Sequence, residues 1–205
     1  VRSTMVHYKL IYFDMPGRAE PMRILFAQAG VAFEDARFPR EDWPRIKPTT
    51  PFGQVPVLEV DGHPIAQSLA ILRFLGRQFK LAGATELEEA RVDMFADQVN
   101  DFTVEIRQFF AVAMGRAEGD KDQLFQDVFV PAKEKLFKLL TRNLAGKDFI
   151  TDSITWGDVY IASMLSTAAE MIPDVFDGYP ELEAYVKRVM SAPRIKAYLA
   201  KRSSK

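Results

Sequence analysis

The sequence contains no cysteine and only two histidines, His7 and His63. Without cysteine there can be no disulfide framework, no cysteine-based zinc site and no thiol nucleophile supplied by the protein itself. Two histidines also give poor support to a histidine-based metal site or a Ser-His-Asp triad. Any thiol chemistry performed by this chain therefore requires a thiol that a ligand brings.

An excess of positive charge and a long apolar segment are missing as well. The formal net charge is -1, so no basic field would hold nucleic acid or an anionic membrane. The most apolar stretch, residues 159–172, is interrupted by polar residues and is shorter than the roughly 20 residues that span a bilayer. Residues 1–4 lack the apolar region of a secretory signal, and we expect them to precede a natural start at Met5. These absences predict a cytoplasmic protein without nucleic-acid or membrane partners.

The first eighty residues have a pattern that predicts the order β-α-β-β-β-α. Apolar residues alternate in the first segment, and helical spacing then follows until Gly30 supplies a stop. Asp61-Gly62, between two short apolar runs, indicates a hairpin, and Ser68 is in place to cap the second helix. The predicted strands are residues 6–13, 32–38, 55–60 and 64–66, and the predicted helices are residues 18–29 and 68–79.

The rest of the chain follows helical spacing. Residues 80–85 are the predicted linker, one long helix is expected from Glu86 to Met114, and a second over residues 122–144 is expected to bend at Pro131. Thr155 and Asp158 form a capping box at the start of a helix that is apolar nearly all round, which predicts that this helix is buried. Two further helices, near residues 181–191 and 193–200, complete a bundle.

Five local motifs follow one another along almost the whole chain: Tyr8–Phe13, Gly17–Glu20, Pro51–Leu58, Gln67-Ser68 and the Thr155 capping box. Together with the predicted order of strands and helices, they resemble the soluble glutathione transferases and, among these, the sigma class. The resemblance implies an α/β thioredoxin-like glutathione-binding domain at residues 5–81. It also implies an all-α domain at residues 86–205 that carries the hydrophobic-substrate pocket and part of a homodimer interface. Glutathione would be the co-substrate, no metal would be needed, and the role would be detoxification in the cytoplasm.

Tyr12 matches the catalytic tyrosine of this family. The alternative is a strand tyrosine whose hydroxyl is satisfied within the core. A free thiol titrates near pKa ~8.5, and a hydrogen bond to a charged group contributes roughly 1.5 to 3 kcal/mol, or about 1 to 2 pK units. A phenol ordinarily has a pKa of about 10, so it remains a neutral donor that stabilises a thiolate without protonating it.

The resemblance also assigns the binding of glutathione. Val55-Pro56 matches a cis-proline turn whose backbone pairs with the cysteinyl main chain, and Gln67-Ser68 would hold the γ-glutamyl carboxylate at a helix start. For Arg18 two interpretations stay open. It adds positive potential beside the sulfur of glutathione, or it is a solvated arginine in the first turn of a helix. The implied glutathione-binding residues are Phe13, Arg18, Trp43, Lys47, Gln54, Val55, Pro56, Gln67, Ser68 and, from the partner subunit, Asp101.

For the acceptor, the resemblance implies a bland apolar pocket and hence broad specificity. The prostaglandin-isomerising members of the class have a tryptophan at the position of Gln108 and an acid at that of Asn100, so isomerisation is disfavoured here. Phe52 either inserts into the partner subunit or packs beneath its own loop. The implied pocket residues are Phe13, Met15, Gln108, Phe109 and Met114.

Two alternatives to conjugation remain open from the sequence. One is a binding role in which the dimer sequesters haem or other apolar ligands. The other is a purely structural derivative of the fold, against which the joint presence of Tyr12, Gln67, Ser68 and Asp101 argues.

Overall fold

A computed structural model describes residues 6–203, so the expectation about residues 1–4 and Met5 lies outside the described residues. The chain divides into two compact units. One reaches to Ala82 and also takes in the residues from Met190 onward, and the other is Gly83–Val189. The predicted division at residues 5–81 and 86–205 stays a prediction for the family domains, but the last helix packs with the first unit. None of the helices within residues 6–203 combines the length and apolar character that a bilayer crossing requires.

The first unit contains a four-stranded mixed sheet of order β2-β1-β3-β4. β1 pairs with β2 in parallel, as the predicted β-α-β crossover requires, and its other neighbour, β3, is antiparallel. Tyr8, Leu10 and Tyr12 point to the buried side of β1, as their alternation predicts. The strands are β1 Tyr8–Phe13, β2 Glu34–Phe38, β3 Val57–Val60 and β4 His63–Ala66.

Helices of the first unit begin and end largely where the sequence indicates. Gly30 ends α1 with a φ of 69°, a left-handed conformation that glycine adopts without steric cost. Asp61 and Gly62, with φ values of 49° and 83°, form the turn between β3 and β4. The helices are α1 Glu20–Ala29, α2 Trp43–Ile46 and α3 Ser68–Gln78, with α10 Pro193–Ser203 added from the far end of the sequence.

The connection between β2 and β3 contains the short helix α2, and Pro44 lies in its first turn, where its missing N–H costs nothing. One local prediction in this unit was wrong, because Ser68 does not cap α3. The N-cap is Gln67, whose backbone has a φ of 72°, and no side chain caps this helix.

The second unit is helical throughout, but the predicted helix from Glu86 to Met114 is interrupted at Ile106. Thr103 donates its hydroxyl hydrogen to the Val99 carbonyl at 2.9 Å, a bond that bends helices. Two more β-branched residues, Val104 and Ile106, follow Thr103 and weaken the helix further. The helices are α4 Glu86–Glu105, α5 Arg107–Ala113, α6 Lys121–Leu124, α7 Val130–Leu144, α8 Trp156–Met171 and α9 Pro180–Met190.

The expected irregularity near Pro131 is present. A π-helical segment, Phe125–Phe129, joins α6 to α7, and Pro131 occupies the first turn of α7. Proline has no N–H to donate, and its ring clashes with the carbonyl four residues earlier. Widening the preceding turn to π geometry relieves both problems.

Helix α8 is the buried helix that the capping box predicts. Asp158 is fully buried, and its carboxylate accepts hydrogen bonds from the Ile150 and Thr155 amides, the Thr155 hydroxyl and the Tyr185 hydroxyl at 2.6–2.9 Å. Burial raises the pKa of Asp158, and these hydrogen bonds oppose that shift. One carboxylate thus ties the start of α8 to α9 and to the preceding loop.

Replacing Asp158 with alanine should destabilise the protein by about 3 kcal/mol or more, because several buried donors lose their acceptor together. Urea unfolding measures this as a lower midpoint. The control is Asp152→Ala, which removes an exposed acid from the neighbouring loop. Equal midpoints for the two variants would contradict the central role of Asp158.

Candidate active site

Tyr12 is the predicted catalytic residue, and its hydroxyl has a defined partner. The side chain is 7% exposed, and the Arg18 amide donates a hydrogen bond to its oxygen at 3.1 Å. Within residues 6–203 no acceptor takes the hydroxyl hydrogen. The phenol is therefore oriented by a bond to its oxygen while its hydrogen can still be donated to a ligand.

The loop that carries Arg18 approaches Tyr12 closely because it contains Gly17. A Cβ atom on Gly17 would lie 2.6 Å from the Tyr12 hydroxyl oxygen and 2.9 Å from Cε1, which is closer than real Cβ contacts. Gly17 also has a φ of 48°, in the left-handed region. Glycine is required here both by space and by backbone conformation.

A shallow recess of the first unit brings together six of the predicted glutathione-binding residues. Arg18 is the charged residue among them and is exposed to solvent. Phe52 joins this lining and is 68% exposed, so it does not pack beneath its own loop. Tyr12 is not part of this lining; its hydroxyl is joined to the lining residue Arg18 by the hydrogen bond from the Arg18 amide. The predicted residues in the lining are Arg18, Gln54, Val55, Pro56, Gln67 and Ser68.

The start of α3 forms one side of this recess. Gln67 has φ and ψ angles of 72° and 117°, an uncommon backbone conformation for a residue other than glycine. Such strain is concentrated at functional sites. Because no side chain caps α3, its first-turn N–H groups and the positive end of its dipole face a potential anion.

The predicted cis-proline turn is confirmed, since the Val55-Pro56 peptide bond is cis. Trp43 and Lys47 are not in the lining of the recess. The Trp43 ring packs against Phe13 with centroids 5.4 Å apart, and the exposed Lys47 lies alongside Gly53. Their predicted contact with glutathione stays a prediction.

The predicted acceptor-pocket residues differ in accessibility. Phe13 and Met15 are half-buried in the first unit, while Gln108 and Met114 are exposed in the second. Phe109 is only 2% exposed and packs among phenylalanines of α5 and the π-helical segment. Its ring belongs to the second unit's core, and its place in the acceptor pocket stays a prediction. Asp101 is exposed on α4.

No group of three or more metal-ligating His, Asp or Glu side chains comes together in the part of the chain that the structure describes. The candidate site is thus a hydroxyl, a cation, a helix start and a loop backbone. This set of groups can bind a zwitterionic peptide and stabilise an anion.

Comparison with known families identifies the chemistry. Residues 8–77 match the family model for the glutathione S-transferase N-terminal domain, and residues 100–202 match that for the C-terminal domain. The chain belongs to the glutathione S-transferase family. It is a glutathione transferase with glutathione as its co-substrate, and it conjugates glutathione to electrophilic hydrophobic compounds.

Curated relatives extend over almost the whole chain. It is 49% identical to glutathione S-transferase 1 of Ascaris suum over 201 residues, covering 97% of this chain and 98% of the relative. It is 43% identical to hematopoietic prostaglandin D synthase of Gallus gallus over 199 residues, with the same two coverages. The activities in these two names are those of the relatives.

Solved structures confirm the fold of this transferase. The glutathione S-transferase of Ascaris lumbricoides has a TM-score of 0.92 at 49% identity, with 96% of this chain and 97% of that chain covered. Monomeric Na-GST-3 of the hookworm Necator americanus has a TM-score of 0.91 at 46% identity, with the same coverages. A Nu-class enzyme of Haemonchus contortus has a TM-score of 0.89 at 45% identity, covering 97% and 98%.

The variant Gly17→Ala should lower turnover on the order of tenfold to a hundredfold, because the new methyl group displaces the Tyr12 hydroxyl and misplaced catalytic groups cost rate steeply. The control is Gly62→Ala, at a φ of 83° with no atom within 4 Å of the added carbon, so it tests backbone strain without the clash. Steady-state conjugation assays compare the two variants. Equal losses of turnover would mean that the close contact with Tyr12 is unimportant.

Proposed function

We propose that Tyr12 carries this transferase activity by donating its hydroxyl hydrogen to the sulfur of bound glutathione. The observation that supports the proposal is the hydrogen bond from the Arg18 amide to the Tyr12 oxygen, which fixes the phenol while leaving its hydrogen for the ligand. A thiolate stabilised in this way attacks an electrophile placed beside it and forms a carbon–sulfur bond. In substitution the leaving group departs with its electron pair, and in addition to an activated double bond the resulting carbanion takes up a proton from water.

The energy required is modest. An unperturbed thiol with a pKa of ~8.5 is mostly protonated at neutral pH. One hydrogen bond to the anion is worth roughly 1.5 to 3 kcal/mol, which lowers the pKa of the thiol by about 1 to 2 units. The exposed positive charge of Arg18 supplements this bond. A shift of about 2 units makes bound glutathione largely thiolate at pH 7, and a shift of about 1 unit makes it about a quarter thiolate.

The remaining groups position the tripeptide. In this proposal the free N–H groups at the start of α3, with Gln67 and Ser68, hold the γ-glutamyl carboxylate. The backbone of Val55 beside Pro56 pairs with the cysteinyl residue. Trp43, Lys47 and Gln54 match family positions around the glycyl end of the tripeptide, and Phe13 is a further glutathione-binding residue implied by the resemblance.

The variant Tyr12→Phe should bind glutathione with nearly normal affinity and lose about 90–99% of its turnover at neutral pH, which matches the loss of a bond to a charged group. Ultraviolet titration of the bound thiolate should show a pKa raised toward that of free thiols. The assay electrophile is a generic aromatic halide.

A matched control is Tyr8→Phe, which removes a hydroxyl from the same strand and the same buried side. Burial, followed by the charge of Asp61, raises the pKa of Tyr8, and its ring packs against Phe26 and Phe79. Tyr8→Phe should retain turnover. If Tyr12→Phe retained it as well, the mechanism proposed for Tyr12 would be wrong.

We also propose a homodimer that uses the exposed side of α4. Leu87 is 74% exposed, Met94 58% and Val104 59%, and Leu87, Met94 and Asp101 follow one another at intervals of seven residues along the same face. Large apolar side chains on one exposed face are typical of an interface.

Phe52, exposed in the lining of the recess, is the second proposed contact. Asp101 of the partner subunit would then bind the amino group of glutathione.

The Asp101→Asn variant should raise KM for glutathione about tenfold with little change in kcat, because one charged contact to the bound substrate is lost. The control Glu105→Gln removes an exposed acid one helical turn further along α4 and should leave KM unchanged. Light scattering of the unmodified enzyme should give twice the 23.3 kDa chain mass. A monomeric mass would refute the dimer, and an unchanged KM for Asp101→Asn in a dimer would refute the role of Asp101.

We further propose that the enzyme is of the sigma type, acts in the cytoplasm and has a broad role in detoxification. Prostaglandin isomerisation is suggested by the vertebrate relative's name, but Gln108 stands where the resemblance places a tryptophan, so we favour general conjugation. Sequestration of haem stays a prediction without support from the relatives' names. The acceptor-pocket residues implied by the resemblance, Phe13, Met15, Gln108, Phe109 and Met114, stay a prediction.

A further inference from the structure

Arg23, on α1, is a fully buried arginine in the first unit. Burying a guanidinium is costly unless its charge is paired. Its Nε donates to both carboxylate oxygens of Asp35 at 3.1 Å, and its Nη1 lies 3.3 Å from Glu20 Oε2. Its Nη2 is buried without a hydrogen-bond partner within residues 6–203. A buried cation with one donor unsatisfied is a poor device for stability alone, which points to a second role.

The second role is visible in the other acceptors of Arg23. Its Nη1 also donates to the Met15 carbonyl at 2.9 Å and the Pro16 carbonyl at 3.1 Å. These two carbonyls immediately precede Gly17 and Arg18, and the Arg18 amide holds the Tyr12 hydroxyl. Arg23 therefore fixes the loop that fixes Tyr12, and its guanidinium carbon also lies 6.0 Å from the centre of the Tyr12 ring.

Glu20, which pairs with Arg23, links this loop to α10. Its carboxylate is 3% exposed. One oxygen, Oε2, contacts Arg23, and the other, Oε1, accepts hydrogen bonds from the Tyr198 hydroxyl and from Arg202 Nη1, both at 2.9 Å. Burial, and then the charge of Glu20, raises the pKa of Tyr198, so its hydroxyl stays a donor. The carboxylate thus bridges α10 and the buried arginine.

We propose that α10 acts as a positioning element for glutathione activation. Tyr198 and Arg202 hold Glu20, Glu20 orients Arg23, and Arg23 holds the loop whose Arg18 amide orients the Tyr12 hydroxyl. This inference rests on the role proposed for Tyr12. It assigns to Tyr198 and Arg202, at the far end of the sequence, an effect on the acidity of the bound thiol.

The test is the double variant Tyr198→Phe with Arg202→Gln, which keeps the bulk of both side chains and removes both bonds to Glu20. The pKa of bound glutathione, measured by thiolate absorbance against pH, should rise by about one unit, so kcat at pH 7 should fall about three- to eightfold. KM for glutathione should change little. Raising the pH above the shifted pKa should restore kcat, which a merely damaged structure would not permit.

Arg194→Gln supplies the matched control. Arg194 also lies on α10, and its Nη1 donates to the Gln28 carbonyl at 3.1 Å, at the opposite end of α1 from Glu20. This variant removes one positive charge and one bond between the same two helices but leaves the path to Tyr12 intact. It should leave the thiol pKa and kcat unchanged.

An unchanged thiol pKa in the double variant, or an equal change in Arg194→Gln, would overturn the inference. Tyr12→Phe, measured in parallel, separates the two proposals. If Tyr12→Phe raises the thiol pKa and the double variant does not, only the positioning role of α10 fails. If Tyr12→Phe also leaves that pKa unchanged, the mechanism proposed for Tyr12 fails first.

Discussion

The proposed chemistry depends on one hydrogen bond, from the Arg18 amide to the Tyr12 oxygen. A phenol can accept and donate at the same time. Because the Tyr12 oxygen accepts this bond, the position of the hydroxyl group is fixed while its hydrogen remains available for donation to a ligand. The rest of the site can be understood as a means of holding that amide in place: Gly17 lets the loop approach, and Arg23 holds the two carbonyls before it.

The thioredoxin-like sheet supplies the other fixed point. Tyr12 lies near the end of β1, which pairs with β2 on one side and β3 on the other. Tyr12 pairs with Arg37 of β2, and the pairing with β3 ends one residue earlier, at Ile11, so the phenol stands on a strand that is held from both sides up to that residue. The recess is completed by segments that follow β1 and by those around β3 and α3. A catalytic group on a strand with binding groups on adjacent turns combines precision with room for a ligand.

Sequence predicted those features whose causes are local. The capping box of α8, the turn at Asp61-Gly62 and the alternation in β1 each depend on residues a few positions apart, and the structure confirms them. The interruption at Ile106 was missed because amphipathic spacing continues through it, while a threonine hydroxyl decides the backbone path. The N-cap position of Gln67 was missed because its unusual backbone angles have no sequence signature.

Other features of the site could not be predicted from a single sequence because they join distant segments. The hydrogen bonds from Tyr198 and Arg202 to Glu20 join residues that are 178 and 182 positions apart. No pattern in the sequence of α1 or α10 predicts them. The burial of Phe109 likewise depends on a cluster of rings contributed by the π-helical segment. Family resemblance named the residues that would face glutathione, but the buried residues that support them become visible only in three dimensions.

The packing of α10 against α1 also has a consequence for how the protein is made. Residues that complete the first unit are synthesised after those of the entire helical unit, although β1 and α1 are made near the beginning. The thioredoxin-like sheet can complete its packing only after more than a hundred residues of the second unit have been added. Until then Glu20 lacks the hydrogen bonds from Tyr198 and Arg202. The proposed active-site tyrosine, Tyr12, is thus synthesised long before α10, the helix that completes the first unit.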